Sequence, residues 1–475
     1  MIEISRSLAR RLSAVIRNSI RKPYYPHAPV VALQTNAQGL CVRTAQGEVA
    51  VEYQQPGAFR PATVTLPLDA LARVEGRDDG PVILEPGSDG QTVARWEDGG
   101  VPQVMAFPIP EAHKPPAFPT APDEFVSNPP ELLTALAEAG RSAADAETRY
   151  ALHRLLLRGA KGEVVGTDSK ELYIHGGFTF GWPGDVMVTR VAAFGRPEVG
   201  PAEAVEVGKT DQNVAIRVGP WTIFLGIDVQ GRYPPVDMVV PRPSAATTTC
   251  RFAPGDAEFL LRSLPRLPGK ADFNRPLTID LNGKVSIRAR AADQAQTTEL
   301  VLARTDYSGP ATRLNLNRDQ LSRALHLGFT ELRVVKADKP MFCRDDRRTF
   351  LMMPLAPQDA LPPADDPLRI TSDGVEPSGR IHRPQRVRLP MSTASMNGDN
   401  RPTATTGGPT TAGPAEANRS GLAGLISEAQ AVREAARDTF ARAGRLLGGI
   451  KRHRQQSRLV ATTLASLKQL QPIDG

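Results

Sequence analysis

The side chains that most often carry chemistry are thinly spread in this chain of 475 residues. Its seven histidines are scattered, and its three cysteines, Cys41, Cys250 and Cys343, show no CxxC spacing. Such thiols read as buried or idle groups in a reducing compartment, not as a disulfide frame or a zinc site. The carboxylate pairs Asp345-Asp346 and Asp365-Asp366 come nearest to a metal centre. Adjacent side chains on a strand point to opposite faces, however, and the second pair falls in a linker. There is no HExxH helix, no GxxxxGKS phosphate loop and no GxSxG elbow. No catalysis, no metal and no cofactor are therefore expected.

The arginines offer chemistry of another kind. Residues 5–21 read as a helix that Ser5 can cap and Pro23 stops. At 100° per residue Leu8, Leu12, Val15, Ile16 and Ile20 share one side, while Arg6, Arg10, Arg17 and Arg21 lie within an arc of about 60°. Guanidinium groups one or two turns apart suit phosphate contacts, and a solvated basic face fits the same pattern. Net charge alone does not decide between them. The chain carries +7, but from residue 357 onward 16 Lys+Arg stand against 11 Asp+Glu, which leaves 42 against 40 in the body. A nearly neutral body attracts nucleic acid only through local arrangement.

These residues need elements to hold them. Met1-Ile2-Glu3-Ile4 alternates like a first strand, which places the first helix inside a domain, although its Arg and Ser content is also that of a mitochondrial presequence. Short extended runs follow at residues 30–34, 40–44, 48–53 and 63–66, then a short helix at 68–73 and strands at 82–85, 92–96 and 104–107. An internal repeat is visible. Ala62-Thr63 precedes Asp69, Leu71 and Arg73, just as Ala311-Thr312 precedes Asp319, Leu321 and Arg323, and both halves close on strands. Repetition of one supersecondary unit implies a modular fold. No apolar run approaches the roughly 20 residues that span a bilayer, so a soluble, cytoplasmic protein is expected.

Residues 149–157 and 163–165 form two strand-like runs joined at Ala160-Lys161-Gly162, a link that suits a hairpin. Thr167-Asp168-Ser169 supplies the turn that ends the second run. Gly231-Arg232-Tyr233-Pro234-Pro235 and Met352-Met353-Pro354-Leu355 follow in order. In this order and spacing the tags resemble the middle and last domains of the bacterial replicative sliding clamp, the β subunit of DNA polymerase III. The resemblance extends over roughly residues 1–356. The family turn reads Thr-Asp-Gly-His-Arg-Leu; here Ser169-Lys170-Glu171 replaces Gly-His-Arg.

The resemblance implies an α+β chain of three repeated clamp domains, near residues 1–115, 122–242 and 247–356, each of helices plus antiparallel sheets. It implies a homodimeric head-to-tail ring that encircles double-stranded DNA and tethers polymerase or repair factors for processivity. DNA-facing positions would be Arg6, Arg10, Arg17, Arg21, Arg73, Arg262, Arg266, Arg318 and Arg323. A partner-peptide pocket would be lined by Leu152, Thr167, Ser169, Leu172, Pro234, Met238, Val239, Leu351, Met352, Met353, Pro354 and Leu355. Implied partners are DNA, DNA polymerase and other clamp-binding peptides, and a clamp loader. The near-neutral body keeps a second reading open: a clamp-derived, non-catalytic scaffold that binds proteins without encircling DNA.

The remainder of the chain reads differently. Residues 357–420, rich in Pro, Thr, Ser, Ala and Gly, have the composition of a disordered linker. Residues 421–470 carry apolar positions in steps of three and four, a heptad-like seam weakened by Gly444, Gly448 and Gly449. The chain ends Gln469-Leu470-Gln471-Pro472-Ile473, which keeps the glutamine and first apolar anchor of bacterial clamp-binding peptides resembling Gln-Leu-x-Leu-Phe. That end is a candidate intramolecular ligand for the pocket.

Overall fold

The first of three successive repeats starts with strand β1 (Ile2–Ser5) and helix α1 (Arg6–Ser19). Strands β2 (Val30–Asn36), β3 (Gly39–Gln46), β4 (Val49–Pro56) and β5 (Ala62–Pro67) follow. Helix α2 (Leu68–Val74) and strands β6 (Pro81–Pro86), β7 (Gln91–Asp98) and β8 (Val101–Pro108) complete it. This computed structural model describes residues 1–20, 29–88, 90–109, 117–147, 150–200 and 203–374. Ser5 caps α1, its Oγ accepting from the Leu8 N–H at 3.1 Å. Leu8, Leu12, Val15 and Ile16 are the inner face that the sequence periodicity predicts. They meet the alternate residues Val31, Leu33, Val42, Val51, Val64 and Leu66 of the sheet. Burying each such side chain contributes about 1.5–3 kcal/mol.

The second repeat runs β9 (Val126–Asn128), α3 (Glu131–Ser142), β10 (Arg154–Arg158), β11 (Glu163–Thr167), β12 (Glu171–Gly176), β13 (Asp185–Thr189), β14 (Val205–Lys209), β15 (Asn213–Val218) and β16 (Trp221–Gly226). In place of a second α-helix it has two 3-10 turns, Ala192–Gly195 and Pro197–Val199. Gly195 and Pro197 interrupt any longer helix there.

The third repeat runs β17 (Thr248–Arg251), α4 (Pro254–Ser263), β18 (Pro276–Asn282), β19 (Lys284–Ala289), β20 (Thr298–Val301), β21 (Asp306–Ser308), β22 (Thr312–Asn317), α5 (Arg318–His326), β23 (Glu331–Val334), β24 (Met341–Arg344) and β25 (Arg348–Met352). One more strand, β26 (Leu368–Thr371), lies beyond it. It corrects the reading of residues 357–420 as linker from their first residue: 357–374 are described and include a strand. The rest of that linker and residues 421–475 lie outside the described residues.

The repeats are joined by main-chain pairing. β4 pairs antiparallel with β16, Tyr53 opposite Trp221 and Val51 opposite Ile223, which fuses two four-stranded sheets in the order β5-β2-β3-β4-β16-β15-β14-β9. The Tyr53 and Trp221 rings meet edge to face, centroids 4.8 Å apart. β12 pairs with β25 in the same sense, Leu172 opposite Leu351, within the order β13-β10-β11-β12-β25-β24-β23-β17-β21. Two smaller sheets, β1-β6-β7-β8 and β22-β18-β19-β20-β26, contain the outermost repeats' remaining strands.

The segment leaving each repeat crosses the outer face of its sheet. Phe118 and Phe125 pack on Ala50, Ala215 and Phe224 across the first joint. Tyr233, Val236 and Val240 pack on Leu156, Val165, Leu172, Ile174 and Leu351 across the second. Asp237 anchors that second crossing. Arg158 and Lys161 donate to it at 2.5–2.9 Å and hold its carboxyl well below the usual range.

Candidate nucleic-acid and peptide interfaces

Arg6 opens α1, where a cation opposes the helix dipole, and its guanidinium turns inward. It is 7% exposed and donates to the carbonyls of Val74, Glu75 and Glu97 and to the carboxylates of Asp78 and Asp98 at 2.9–3.4 Å. Five acceptors leave no role for it on DNA, which corrects the sequence expectation. Arg10 and Arg17 are exposed on α1, and Arg73 is exposed on α2, which packs beside it. Arg17 also donates to Asp69 of α2 at 3.0 Å. A cleft where α1 meets the second repeat is lined by Arg17, Arg141 of α3 and Arg190. Arg141 and Arg190 were not among the positions that the sequence pointed to. Arg21 lies outside the described residues.

Two arginines of the third repeat are also consumed. Arg318, the first residue of α5 and 2% exposed, donates to the carbonyls of Leu267, Pro268 and Arg275. Arg323, one turn on, reaches into the second repeat. It donates to Glu138 Oε2 at 3.0 Å, the Glu138 carbonyl at 2.6 Å, Ser142 Oγ at 2.9 Å and Glu171 Oε1, with its guanidinium 5.2 Å from the Phe350 ring centre. Neither is a DNA-facing group in this fold. Arg262 is half-buried on α4 and Arg266 exposed just after it.

The β11–β12 turn is built by Asp168, whose Oδ1 accepts from the Lys170 and Glu171 N–H groups at 2.8 and 2.9 Å. Thr167 Oγ1 donates to the Glu171 carbonyl at 2.6 Å. Ser169 takes a φ of 76°, a left-handed conformation more natural to glycine. The turn aims Lys170 at the third repeat. Its carbonyl accepts from the Met353 N–H at 2.8 Å and from Gln320 Nε2 at 3.0 Å, and its ammonium lies 5.7 Å from the Phe273 ring centre. Met353, Phe273, Met238 and Val239 are exposed, Met238 at 83%.

His175, on β12 at the same joint, is buried against Phe178, with Nδ1 3.2 Å from Tyr173 Oη. Burial and, next, the Arg348 guanidinium hold its pKa down to about 4. The unfolded chain then binds the proton that the folded chain refuses, so stability rises with pH between about 4 and 6.5. Lowering the pH from 7 to 4 is expected to remove about 3 kcal/mol through this group. Urea midpoints of His175→Gln against the parent across that window check it: the variant's curve should be flatter.

No protein-family model matches the sequence, and comparison with curated proteins finds no match. Solved structures do match. The DNA polymerase III β sliding clamp of Pseudomonas aeruginosa, bound to griselimycin, aligns with a TM-score of 0.61 at 18% identity, over 75% of this chain and 99% of that one. The C. crescentus β sliding clamp gives 0.61 at 19%, over 74% and 98%. The β subunit from DNA polymerase of Streptococcus pyogenes gives 0.59 at 16%, over 74% and 99%.

The chain has the sliding-clamp fold.

Within the clamp fold the twelve positions expected to line a peptide pocket separate into three sets, buried, half-buried and open. Leu172 and Leu351 face each other across β12 and β25 and form a closed cluster with Val236. Leu152, Thr167 and Met352 are also buried. Pro234, Pro354 and Leu355 are half-buried, while Ser169, Met238, Val239 and Met353 are open to solvent. Phe273 belongs with the open set and was missed. Its signal was the run Ala271-Asp272-Phe273-Asn274-Arg275, an aromatic among turn formers. Among the described residues, no helix is long and apolar enough to cross a membrane.

Proposed function

We propose that the chain is a sliding clamp, its three repeats acting as domains near residues 1–115, 122–242 and 247–356, that closes head to tail with a second copy around duplex DNA. The observation that carries this reading is the pair of identical joints, β4 on β16 and β12 on β25. Each sets the fourth strand of one repeat's first sheet against the last strand of the next, and repetition of one heterologous contact closes a ring when the rotation is right. Arg10, Arg17, Arg73, Arg141 and Arg266 supply the weak phosphate contacts that permit sliding, because such contacts carry no sequence information. Met353 and Phe273 beside Lys170, together with the exposed Met238 and Val239 of the second crossing segment, take apolar anchors of polymerase or repair-factor peptides, methionine adapting to several shapes. A clamp loader would open the ring, in the cytoplasm, and the chain itself performs no catalysis.

The test is loading onto nicked circular DNA. Arg10→Glu, Arg17→Glu and Arg73→Glu together should abolish retention and lower the salt dependence of binding by roughly 0.9 log units per lost phosphate contact. Unchanged retention would sink the DNA reading. In the same preparations a labelled Gln-Leu-x-Leu-Phe peptide should lose at least roughly tenfold in affinity on Met353→Lys. The scaffold reading has one observation in its favour: β26 lies on β20, the edge that a second copy would need.

A further inference from the structure

The three repeats assign a role to every strand edge. β16 and β25, the last strands of repeats two and three, are buried by the fourth strands β4 and β12 that they pair with. β8 is the equivalent last strand of repeat one, and it is exposed over most of its length, with Val101, Val104 and Met105 open to solvent. β20 is the equivalent fourth strand of repeat three. A head-to-tail contact between two copies would therefore join β8 of one to β20 of the other. Long apolar edges left open invite pairing, and proteins usually cover them.

In this chain β20 is covered by its own carboxy-terminal extension. That segment leaves β25 along the path of an interdomain crossing. The Leu355 N–H bonds to the Asn315 carbonyl on β22 at 2.8 Å, and Asn315 Nδ2 to the Ala356 carbonyl at 2.9 Å. The Leu361 N–H reaches Thr278 Oγ1 on β18 at 2.8 Å, and the Leu361 carbonyl accepts from Arg288 on β19 at 3.5 Å. The Leu368 N–H bonds to the Thr297 carbonyl, and β26 then pairs parallel with β20, from Thr298 opposite Leu368 to Val301 opposite Thr371.

The consequence for burial is visible by comparison. On the outer face of this sheet Thr278, Asp280, Arg288, Glu299 and Asn315 are buried. The positions in register with them in repeat one, Ala32, Gln34, Arg43, Glu52 and Thr65, are more open: Gln34 and Arg43 are exposed, Ala32 and Thr65 half-buried, and only Glu52 is buried. Two side-chain locks hold the far end: Arg369 Nε donates to Glu299 Oε2 at 2.7 Å, and Ser372 Oγ bridges the Ala303 N–H and Asp256 Oδ1 at 2.9 and 2.6 Å.

We infer that residues 361–372 are an intramolecular cap on the ring-closing edge, so that β8 of a second copy and β26 of the same chain compete for β20. This rests on the ring reading above. The cap starts with the advantage, because a tethered strand acts at an effective concentration in the millimolar range while a second copy is present at micromolar. Pro357, Pro362, Pro363 and Pro367 stiffen the tether and lower the entropy lost on docking. Release of β26 thus sets ring closure, and the closed joint is antiparallel where the cap is parallel.

The experiment measures mass by sedimentation for four full-length proteins: the parent, Arg369→Glu/Ile370→Pro, the chain lacking residues 361–372, and that deletion combined with Val104→Asp on β8. Proline removes a ladder donor, and the glutamate faces Glu299, so the point variant frees the strand without shortening the chain. Hydrogen exchange at residues 298–301 reports whether the edge is covered. At micromolar concentration the parent should be monomeric, both released proteins dimeric with the edge still protected, and the Val104→Asp combination monomeric with the edge unprotected. Equal dimerisation of the first three, lost on Val104→Asp, overturns the cap and leaves the ring intact, while dimerisation that survives Val104→Asp overturns both. Monomers throughout overturn the ring reading and the cap with it. A dimer that forms only while β26 is present makes β26 the joint strand itself and also overturns the cap.

Discussion

Arg323→Ala is expected to destabilise the chain by about 3–5 kcal/mol, the cost of stripping a partner from buried charges. Arg323 is the one side chain of α5 that bonds at once to the start and end of the second repeat's helical turn, at Glu138 and Ser142, and to the β11–β12 turn, at Glu171. Both carboxylates are largely shielded from water. Burial already pushes the Glu171 carboxyl above its ordinary value, and the Arg323 guanidinium is the chief influence pulling it back. Removing the guanidinium raises it further. An acid raised in the folded state binds its proton more tightly there than when unfolded, so its ionisation costs stability as pH rises. The deficit of the variant should consequently be larger at pH 8 than at pH 5, and Glu171→Gln in the same chain should recover part of it. Urea midpoints at the two pH values check both. A pH-independent deficit would mean that packing against Phe350, 5.2 Å away, carries the effect instead.

Arg323 also shows where the sequence stopped being legible. Arg73 and Arg323 occupy equivalent places in the repeat, each following an aspartate and a leucine on a short helix, and the sequence treats them alike. Arg73 is exposed, while Arg323 is taken up by α3, because only the third repeat brings its second helix against a neighbour's glutamates. Burial of an arginine is decided by acceptors that arrive from far along the chain. One local signal was available. Arg6 and Arg318 are each the first residue of a helix, where the dipole disfavours a cation, so each needed acceptors elsewhere. The apolar alternation, by contrast, gave the sheets well: the hairpin at residues 160–162 joins β10 to β11, with Arg158 opposite Glu163. β26 was hidden because Leu368-Arg369-Ile370-Thr371 is short and set among prolines and aspartates. It is a strand because an edge was waiting for it, not because its own residues insist on one.

Gly166→Ala should be at least as damaging as the loss of Arg323, by about 3 kcal/mol or more, through a single methyl group. Gly166 sits in β11 directly beneath α3, and a Cβ there would lie 2.0 Å from the Ala139 carbonyl oxygen and 2.6 Å from its carbon. These are backbone atoms of a helix whose Leu132, Ala135, Leu136 and Ala139 are fully buried, so no side chain can swing aside. Helix or strand must move, and interiors at this density transmit such a shift. The strand leads straight into Thr167 and Asp168, so the displaced turn would carry Lys170 away from Met353 and Gln320. Peptide affinity at that rim should fall together with the thermal midpoint. Gly184→Ala is the control: a Cβ there meets nothing within 4 Å, and it should leave both quantities within the ordinary range of a surface change, about 0.5 kcal/mol. If Gly166→Ala melts like the parent, α3 does not press on β11 as closely as the clamp fold of this chain requires.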